Sequence, residues 1–240
     1  MRWPGGKDIL SNCRNFCRFG NVVSFIILYG ELRAMSSLSL PIVTDRLILR
    51  TFERSDNEAL AAYHTLPSVQ RYVFSRTRDA AEVAGALNIM RSHVSLQRPG
   101  DTLTLAMVRK GDKALTGHVS LNWSDATAGQ GEVRFCINPA YSGQGLTREA
   151  LTAVFDLAFD HFRIHRVFAR CDGRNHHSIK LMQQMGLRLE AHYREHALFQ
   201  GEWDEELHFA ILDREWQRSS KIKDLPPRHQ VDVPPHHRVA

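Results

Sequence analysis

Two glycines stand directly before a long amphipathic segment, in a stretch that runs Tyr-Ser-Gly-Gln-Gly-Leu-Thr-Arg-Glu-Ala-Leu over residues 141–151. Gly143 and Gly145 can adopt backbone angles that side chains forbid. The start of a helix offers unpaired N–H groups and the positive end of its dipole to an anion. This spacing favours a phosphate-binding loop, and we expect a pyrophosphate as the anion. An ordinary tight turn at a helix start is the competing interpretation.

The flanking segments predict that this loop joins a strand to a helix. Upstream, residues 132–137 alternate between polar and apolar, and Asn138-Pro139 follows, where proline cannot donate to a sheet ladder. Downstream, apolar residues recur every three to four positions, which is helical spacing with one apolar face. These residues are Leu146, Ala150, Val154, Leu157, Ala158 and Phe162.

Together with two later blocks, this junction resembles the GNAT N-acetyltransferase superfamily. The later blocks are Asn175-His176-His177-Ser178, which continues to Met185-Gly186-Leu187-Arg188-Leu189-Glu190, and Arg194-Glu195-His196 with Gly201-Glu202-Trp203. The resemblance extends from Thr44 to Trp216 and is closest to the branch that acetylates the N-termini of ribosomal proteins. It implies transfer of an acetyl group from acetyl-coenzyme A (acetyl-CoA) to an amine.

The resemblance also implies where acetyl-CoA binds. Amides of the glycine loop hold the diphosphate, the Phe135 amide polarises the thioester carbonyl, and Ile137 pairs with the pantetheine arm. The implied binding set is Phe135, Cys136, Ile137, Gly143, Gln144, Gly145, Leu146, Thr147, Asn175 and Ser178. Ser142 and Thr147 depart from the residues that relatives usually carry, and Thr147 adds both bulk and a hydroxyl near the phosphates.

For catalysis, an ammonium acceptor must lose a proton and the departing thiolate must gain one. Glu132 is the first candidate base, because a strand glutamate in the histone-acetylating relatives precedes a Phe-Cys pair by the same spacing. Glu205, His196 and a water relay are the alternatives, since Ala197 replaces the glutamate of the ribosomal-protein branch. Ser178 is the candidate proton donor, because methionine stands at position 182, where many relatives carry tyrosine.

Two functions are therefore open from the sequence. The first is an N-acetyltransferase that acts on a primary amine, either a protein N-terminus or a small molecule, by direct attack in a ternary complex. The second is a non-catalytic module that binds acyl-CoA, which the residues at positions 142, 147, 182 and 197 motivate. The sequence does not distinguish a monomer from a homodimer.

The distribution of charge argues against nucleic acid as a partner. The formal charge of the chain is +5. Residues 1–40 and residues 218–240 each hold five Lys/Arg against two Asp/Glu, so each end contributes +3 and residues 41–217 are left with −1. A domain that binds nucleic acid is expected to carry a basic surface.

Cysteine and histidine spacing predicts neither disulfides nor a metal site. Cys13, Cys17, Cys136 and Cys171 form no paired framework, which fits a reducing cytoplasm. The pairs His161 with His165 and His192 with His196 lack the accompanying residues of known zinc motifs. The apolar run at residues 22–29 is too short to span a bilayer, so we expect no membrane partner.

The chain divides into a domain and two appendages. We expect residues 1–40 to be an N-terminal extension, with Met35 as the working start, and residues 218–240 to be a flexible basic tail with two Pro-Pro pairs. Residues 41–217 form the predicted catalytic domain.

The order of predicted strands and helices gives an α/β domain, and the resemblance implies a mixed central sheet whose two central strands splay apart, with helices on its flanks. Predicted strands cover 46–52, 102–109, 114–123, 132–137, 166–171, 188–193 and 203–212. Predicted helices cover 55–64, where Ser55 and Glu58 form a capping box, then 68–96 in one or two pieces, 146–162 and 178–185.

Overall fold

A computed structural model describes residues 38–72, 79–199 and 201–217. The predictions for residues 1–37 and for the tail from residue 218 lie outside the described residues. Leu38 and Leu40 already pack against the apolar core. None of the helices in the described part of the chain is long and apolar enough to cross a membrane.

The described residues build one mixed sheet with the strand order β1-β2-β3-β4-β5-β6-β8-β7. Every neighbouring pair is antiparallel except β5 and β6, which run parallel. The mixed sheet confirms the predicted fold class. Its strands are β1 (Ile42–Val43), β2 (Leu47–Arg50), β3 (Thr102–Arg109), β4 (Leu115–Asp125), β5 (Gln130–Ile137), β6 (Arg166–Asp172), β7 (Arg188–Phe199) and β8 (Glu202–Leu212).

Helices cover both faces of this sheet. They are α1 (Asn57–His64), α2 (Pro67–Gln70), α3 (Ala80–Ser92), α4 (Leu146–Asp156), which continues as a π-helical turn over Leu157–His161, and α5 (His176–Gln184). One apolar cluster joins α4 and α5 to one face of the sheet, and a second joins α1 and α3 to the other. The predicted helix over 68–96 is thus two helices, α2 and α3, separated by a segment that includes residues outside the described ranges.

The predicted capping box at Ser55 and Glu58 is wrong. The Asp56 carboxylate instead accepts hydrogen bonds from the Glu53 N–H at 2.8 Å and from the Arg50 guanidinium at 2.8 Å. A short 3₁₀ turn over Arg54–Asp56 therefore precedes α1. Arg50, the last residue of β2, forms this ion pair with Asp56, and the spacing of residues 55–58 alone does not reveal it.

The central strands diverge as predicted. β5 and β6 pair only from Gln130 opposite Arg166 to Glu132 opposite Phe168. Beyond that point β5 continues to Ile137 beside β4, and β6 continues to Asp172 beside β8. One edge of residues 133–137 consequently faces a gap instead of a neighbouring strand.

Candidate active site

The glycine loop enters α4 through two left-handed residues. Gly143 has a φ of +76° and Gly145, the N-cap of α4, has a φ of +75°. A side chain at either position would be strained, although a Cβ on Gly143 would meet no atom within 4 Å. The glycines are therefore required by backbone angle, and they bring the first N–H groups of α4 to the mouth of the gap.

Arg46 and Glu149 fasten this loop to β2, a contact that sequence reasoning missed. The Glu149 carboxylate accepts hydrogen bonds from the Arg46 N–H at 2.7 Å, from its guanidinium at 2.7 Å, and from the Thr44 hydroxyl at 2.5 Å. The Arg46 guanidinium also donates to the Gln144 carbonyl at 2.8 Å. These bonds hold the loop at a fixed distance from the sheet.

A cavity of about 830 Å³ opens between the diverging strands, the glycine loop and α5. It collects most of the predicted coenzyme-binding residues, namely Phe135, Cys136, Ile137, Gly143, Gly145, Leu146, Thr147, Asn175 and Ser178. Gln144 does not line the cavity, and its carbonyl accepts from Arg46 instead. Residues from α2 and just beyond it, including Val69 and Tyr72, form part of the opposite wall.

The cavity is electropositive. Arg71, Arg148 and Lys180 line it, and no carboxylate lies among its lining residues in the described ranges. Cations around a concave surface raise the local concentration of anions. Sequence analysis did not single out these three residues, because isolated basic residues on helices and loops are common.

Asn175 and Ser178 lie together at the start of α5. The Asn175 side-chain oxygen is the N-cap and accepts from the Ser178 N–H at 3.1 Å. This bond orients the first turn of α5, so the Ser178 hydroxyl is carried on an ordered element beside the cavity. Met182 is 2 % exposed and belongs to the apolar core.

Glu132 is a buried carboxylate held by two arginines. It is 5 % exposed, and its oxygens accept from Arg170 Nε at 2.9 Å and from Arg134 Nη2 at 2.6 Å. Burial by itself would raise the pKa of Glu132, but the hydrogen bonds and charges of the two arginines outweigh it and lower that pKa. Glu132 lies at the point where β5 and β6 separate, and it is not among the cavity-lining residues.

The alternative bases lie on the hairpin of β7 and β8. Glu205 contacts His192, with 2.9 Å between Oε1 and Nε2, and His196 Nδ1 lies 3.0 Å from Asp204 Oδ1. Neither Glu205 nor His196 lines the cavity. His196 is paired within the hairpin, whereas Glu205 also lies beside Gly173 at the end of the diverging strand β6, where its carbonyl accepts from the Gly173 N–H at 2.7 Å.

Gly117 allows β4 to lie unusually close to the backbone of Cys136. A Cβ placed on Gly117 would lie 2.3 Å from the Cys136 carbonyl oxygen, which is closer than such atoms approach. The Asn138 N–H donates to the Thr116 carbonyl at 2.8 Å and closes the end of this pairing. Gly117 therefore permits the close approach of β4 that sets the position of residues 136 and 137.

Comparison with known proteins identifies the family. Residues 46–188 match the family model described as an acetyltransferase (GNAT) domain. This match covers more than half of the chain, and the protein belongs to the GNAT acetyltransferase family. The resemblance that the sequence motifs indicated is thereby confirmed, and the chain is an acetyl-CoA-dependent N-acetyltransferase.

Relatives and solved structures agree with this assignment. The uncharacterised N-acetyltransferase YnaD of Bacillus subtilis is 25 % identical over 73 % of this chain and 98 % of its own length. A GNAT-family acetyltransferase structure from Bacillus anthracis aligns with a TM-score of 0.65 and 25 % identity, over 72 % of this chain and 99 % of that one.

Two further structures, both from Vibrio cholerae, share the fold. A ribosomal-protein-serine acetyltransferase-like protein aligns with a TM-score of 0.57 and 24 % identity, over 71 % of this chain and 96 % of that one. Spermidine N-acetyltransferase in complex with CoA and spermine aligns with a TM-score of 0.62 and 19 % identity, over 72 % and 98 %.

Proposed function

We propose that this enzyme transfers the acetyl group of acetyl-CoA to a primary amine by direct attack, with both substrates bound at once. The observation that carries the proposal is the electropositive cavity between β5 and β6. It combines a helix start, three cations and an unpaired strand edge around one space. These features suit a ligand with phosphates at one end and a hydrogen-bonding arm at the other.

In the proposed complex, the diphosphate lies against the N–H groups of residues 143–147, and Arg71, Arg148 and Lys180 add positive charge around it. The pantetheine arm lies along the open edge of β5 and pairs with Ile137. The thioester carbonyl then meets the Phe135 amide, because an N–H that is already oriented stabilises the developing oxyanion without reorganisation.

In the proposed reaction, the amine lone pair attacks the thioester carbon, the C–S bond breaks, and the proton leaves the amine. Glu132 is the proposed base. Because Glu132 does not line the cavity, we propose that the proton reaches it through a bridging water. Ser178 donates a proton to the departing thiolate and recovers one from solvent. Holding amine and thioester together contributes up to about 7–11 kcal/mol.

The proposed acceptor is a protein N-terminus or a small monoamine. A polyamine carries several positive charges, and its remote charges need carboxylates. The described cavity lining offers cations and no carboxylate, so an added cationic tail is repelled. Arg71 and Tyr72 line the cavity and are the residues that an acceptor would meet, whereas Tyr63 on α1 is fully buried.

A thiol-release assay tests this function. The full chain is mixed with acetyl-CoA and, in separate reactions, with peptides with free N-termini, monoamines and polyamines. We expect CoA release with a peptide or monoamine and weaker release with spermine. Ser178→Ala is expected to lower kcat with little change in the KM of acetyl-CoA, and Ser124→Ala on the far end of β4 is its control. Binding of CoA without turnover across the panel would favour the non-catalytic alternative.

A further inference from the structure

Three residues with metal-binding side chains meet behind the cavity wall. His64 ends α1, His118 lies on β4, and Cys136 is its cross-strand neighbour on β5. One ligand atom from each residue lies within 4.8 Å of the other two. Sequence analysis predicted no metal site, because these residues are far apart in the chain and become neighbours only when α1 packs on the sheet.

The ligand set and spacing suit zinc. Zinc binds thiolate at about 2.3 Å and imidazole at about 2.0–2.1 Å, so tetrahedral ligand atoms are separated by roughly 3.3–3.7 Å. The observed limit of 4.8 Å is wider than this value, so the three side chains must move closer together when the ion binds. Two imidazoles and one thiolate also favour zinc over magnesium or calcium, which prefer oxygen.

Tyr63 supplies the outer support that metal-binding histidines require. Its hydroxyl lies 2.9 Å from His118 Nδ1, and Tyr63 is fully buried. This contact orients the His118 ring beside His64 and Cys136. His64 and His118 are each only 9 % exposed, so their rings are held by packing as well.

We propose that His64, His118 and Cys136 bind one divalent cation of the zinc class, with a fourth coordination position open to the cavity. Cys136 lines that cavity and provides the entry path. As the sulfur–metal bond forms, the thiol proton passes to solvent and both imidazoles bind in their neutral form. Three protein ligands with water in the fourth position are an established zinc coordination, distinct from the four protein ligands of structural sites.

Zinc binding to the metal-free full chain tests the site. Zinc is titrated in competition with a chromophoric chelator, and cobalt is used in parallel because a bound thiolate gives a charge-transfer band. We expect one tight equivalent in the wild type. Cys136→Ser is expected to weaken binding by at least about 100-fold, and Tyr63→Phe, which removes only the orienting hydroxyl, by about 10–100-fold.

Cys171→Ser is the matched control, since Cys171 is a buried cysteine in the other apolar cluster. It is expected to keep both the affinity and the cobalt band, whereas Cys136→Ser loses the band. His64→Gln provides a second ligand variant if Cys136→Ser lowers the melting temperature too far for the assay.

Absence of tight binding to the wild type would overturn the proposal. Equal affinity in Cys136→Ser and His64→Gln would also overturn it, because the metal would then bind elsewhere, for example at Cys13 and Cys17. Neither result depends on acetyl transfer.

Discussion

Replacing Glu132 with glutamine tests the proposed base and separates its chemistry from its structural role. The amide has nearly the same shape but cannot accept a proton. Loss of a general base lowers turnover by about 10²–10⁴-fold. We therefore expect kcat to fall at least 100-fold, while the KM of acetyl-CoA stays within a few-fold, because Glu132 does not line the cavity.

The same substitution also removes an ion pair, and the structure sets the size of that effect. Arg134 and Arg170 have side chains that are 62 % and 38 % exposed, so water can solvate them once the carboxylate is gone. A lost hydrogen bond to a charged group costs about 1–3 kcal/mol. For a domain of this size the melting temperature is then lowered by about 2–12 °C. Folded protein at the assay temperature should consequently show the full catalytic loss.

Glu190→Gln is the matched control. Glu190 also accepts from two arginines, Arg166 and Arg188, but it lies on β7 away from the cavity. Because the Glu190 side chain is 28 % exposed against 7 % for Glu132, the substitution should lower stability by less, about 0–1 kcal/mol, and leave kcat unchanged. If Glu132→Gln retains kcat within threefold, the base assignment is wrong. If both variants lose activity in proportion to stability, the effect is structural.

The pH profile provides an independent check on Glu132. Its pKa is lowered, so Glu132 is ionised throughout the neutral range and kcat at saturating substrates should show no loss down to about pH 5. A histidine base would produce a limb near pH 6.5. For stability the sign follows from the same shift. The contribution of Glu132 is complete above the unfolded pKa and is lost as the pH falls through its lower folded pKa.

Three further substitutions test how the site is held. Gly117→Ala places a methyl group against the Cys136 carbonyl. Chemical denaturation should show a loss of about 1–3 kcal/mol or more of stability, and calorimetry should show weaker acetyl-CoA binding. Gly111→Ala, whose added methyl group would face open space, should change neither. Glu149→Gln breaks the contact between the glycine loop and β2, so the KM of acetyl-CoA should rise while kcat stays close to that of the wild type. An unchanged KM would mean that the loop keeps its shape without this contact. Lys180→Ala should weaken acetyl-CoA binding about 2–5-fold, and less so at high salt, whereas Arg98→Ala, at an exposed position outside the cavity lining, should have no effect.

Local patterns predicted much of this fold. The strand over 102–109 was predicted to the residue, because its strand-forming residues and the turn sequence Lys110-Gly111-Asp112-Lys113 that follows are both local signals. The glycine loop was placed correctly between a strand and α4 for the same reason. β7 was predicted to end at Tyr193, but it continues to Phe199 beyond an irregularity that includes Glu195 with a φ of +52°. Pairing with β8 decides that length, and no pattern within β7 encodes it.

The parts of the site that escaped prediction depend on contacts between distant segments. Arg46 meets Glu149, Gly117 lies against Cys136, and Arg71 joins Lys180 at one cavity. Each of these residues is unremarkable within its own segment. The two arginines around Glu132 belong to different strands, so the lowered pKa of that carboxyl was equally invisible in the sequence.

The short parallel junction between β5 and β6 has a mechanical consequence. Only three residue pairs join the two halves of the sheet there, from Gln130 with Arg166 to Glu132 with Phe168. A coenzyme arm bound in the gap would bridge the edges of β5 and β6 beyond their three paired residues, and it would hold the two halves of the sheet together. Amide hydrogens along residues 133–137 should then exchange more slowly with the coenzyme bound, and both halves of the domain should melt as one cooperative unit.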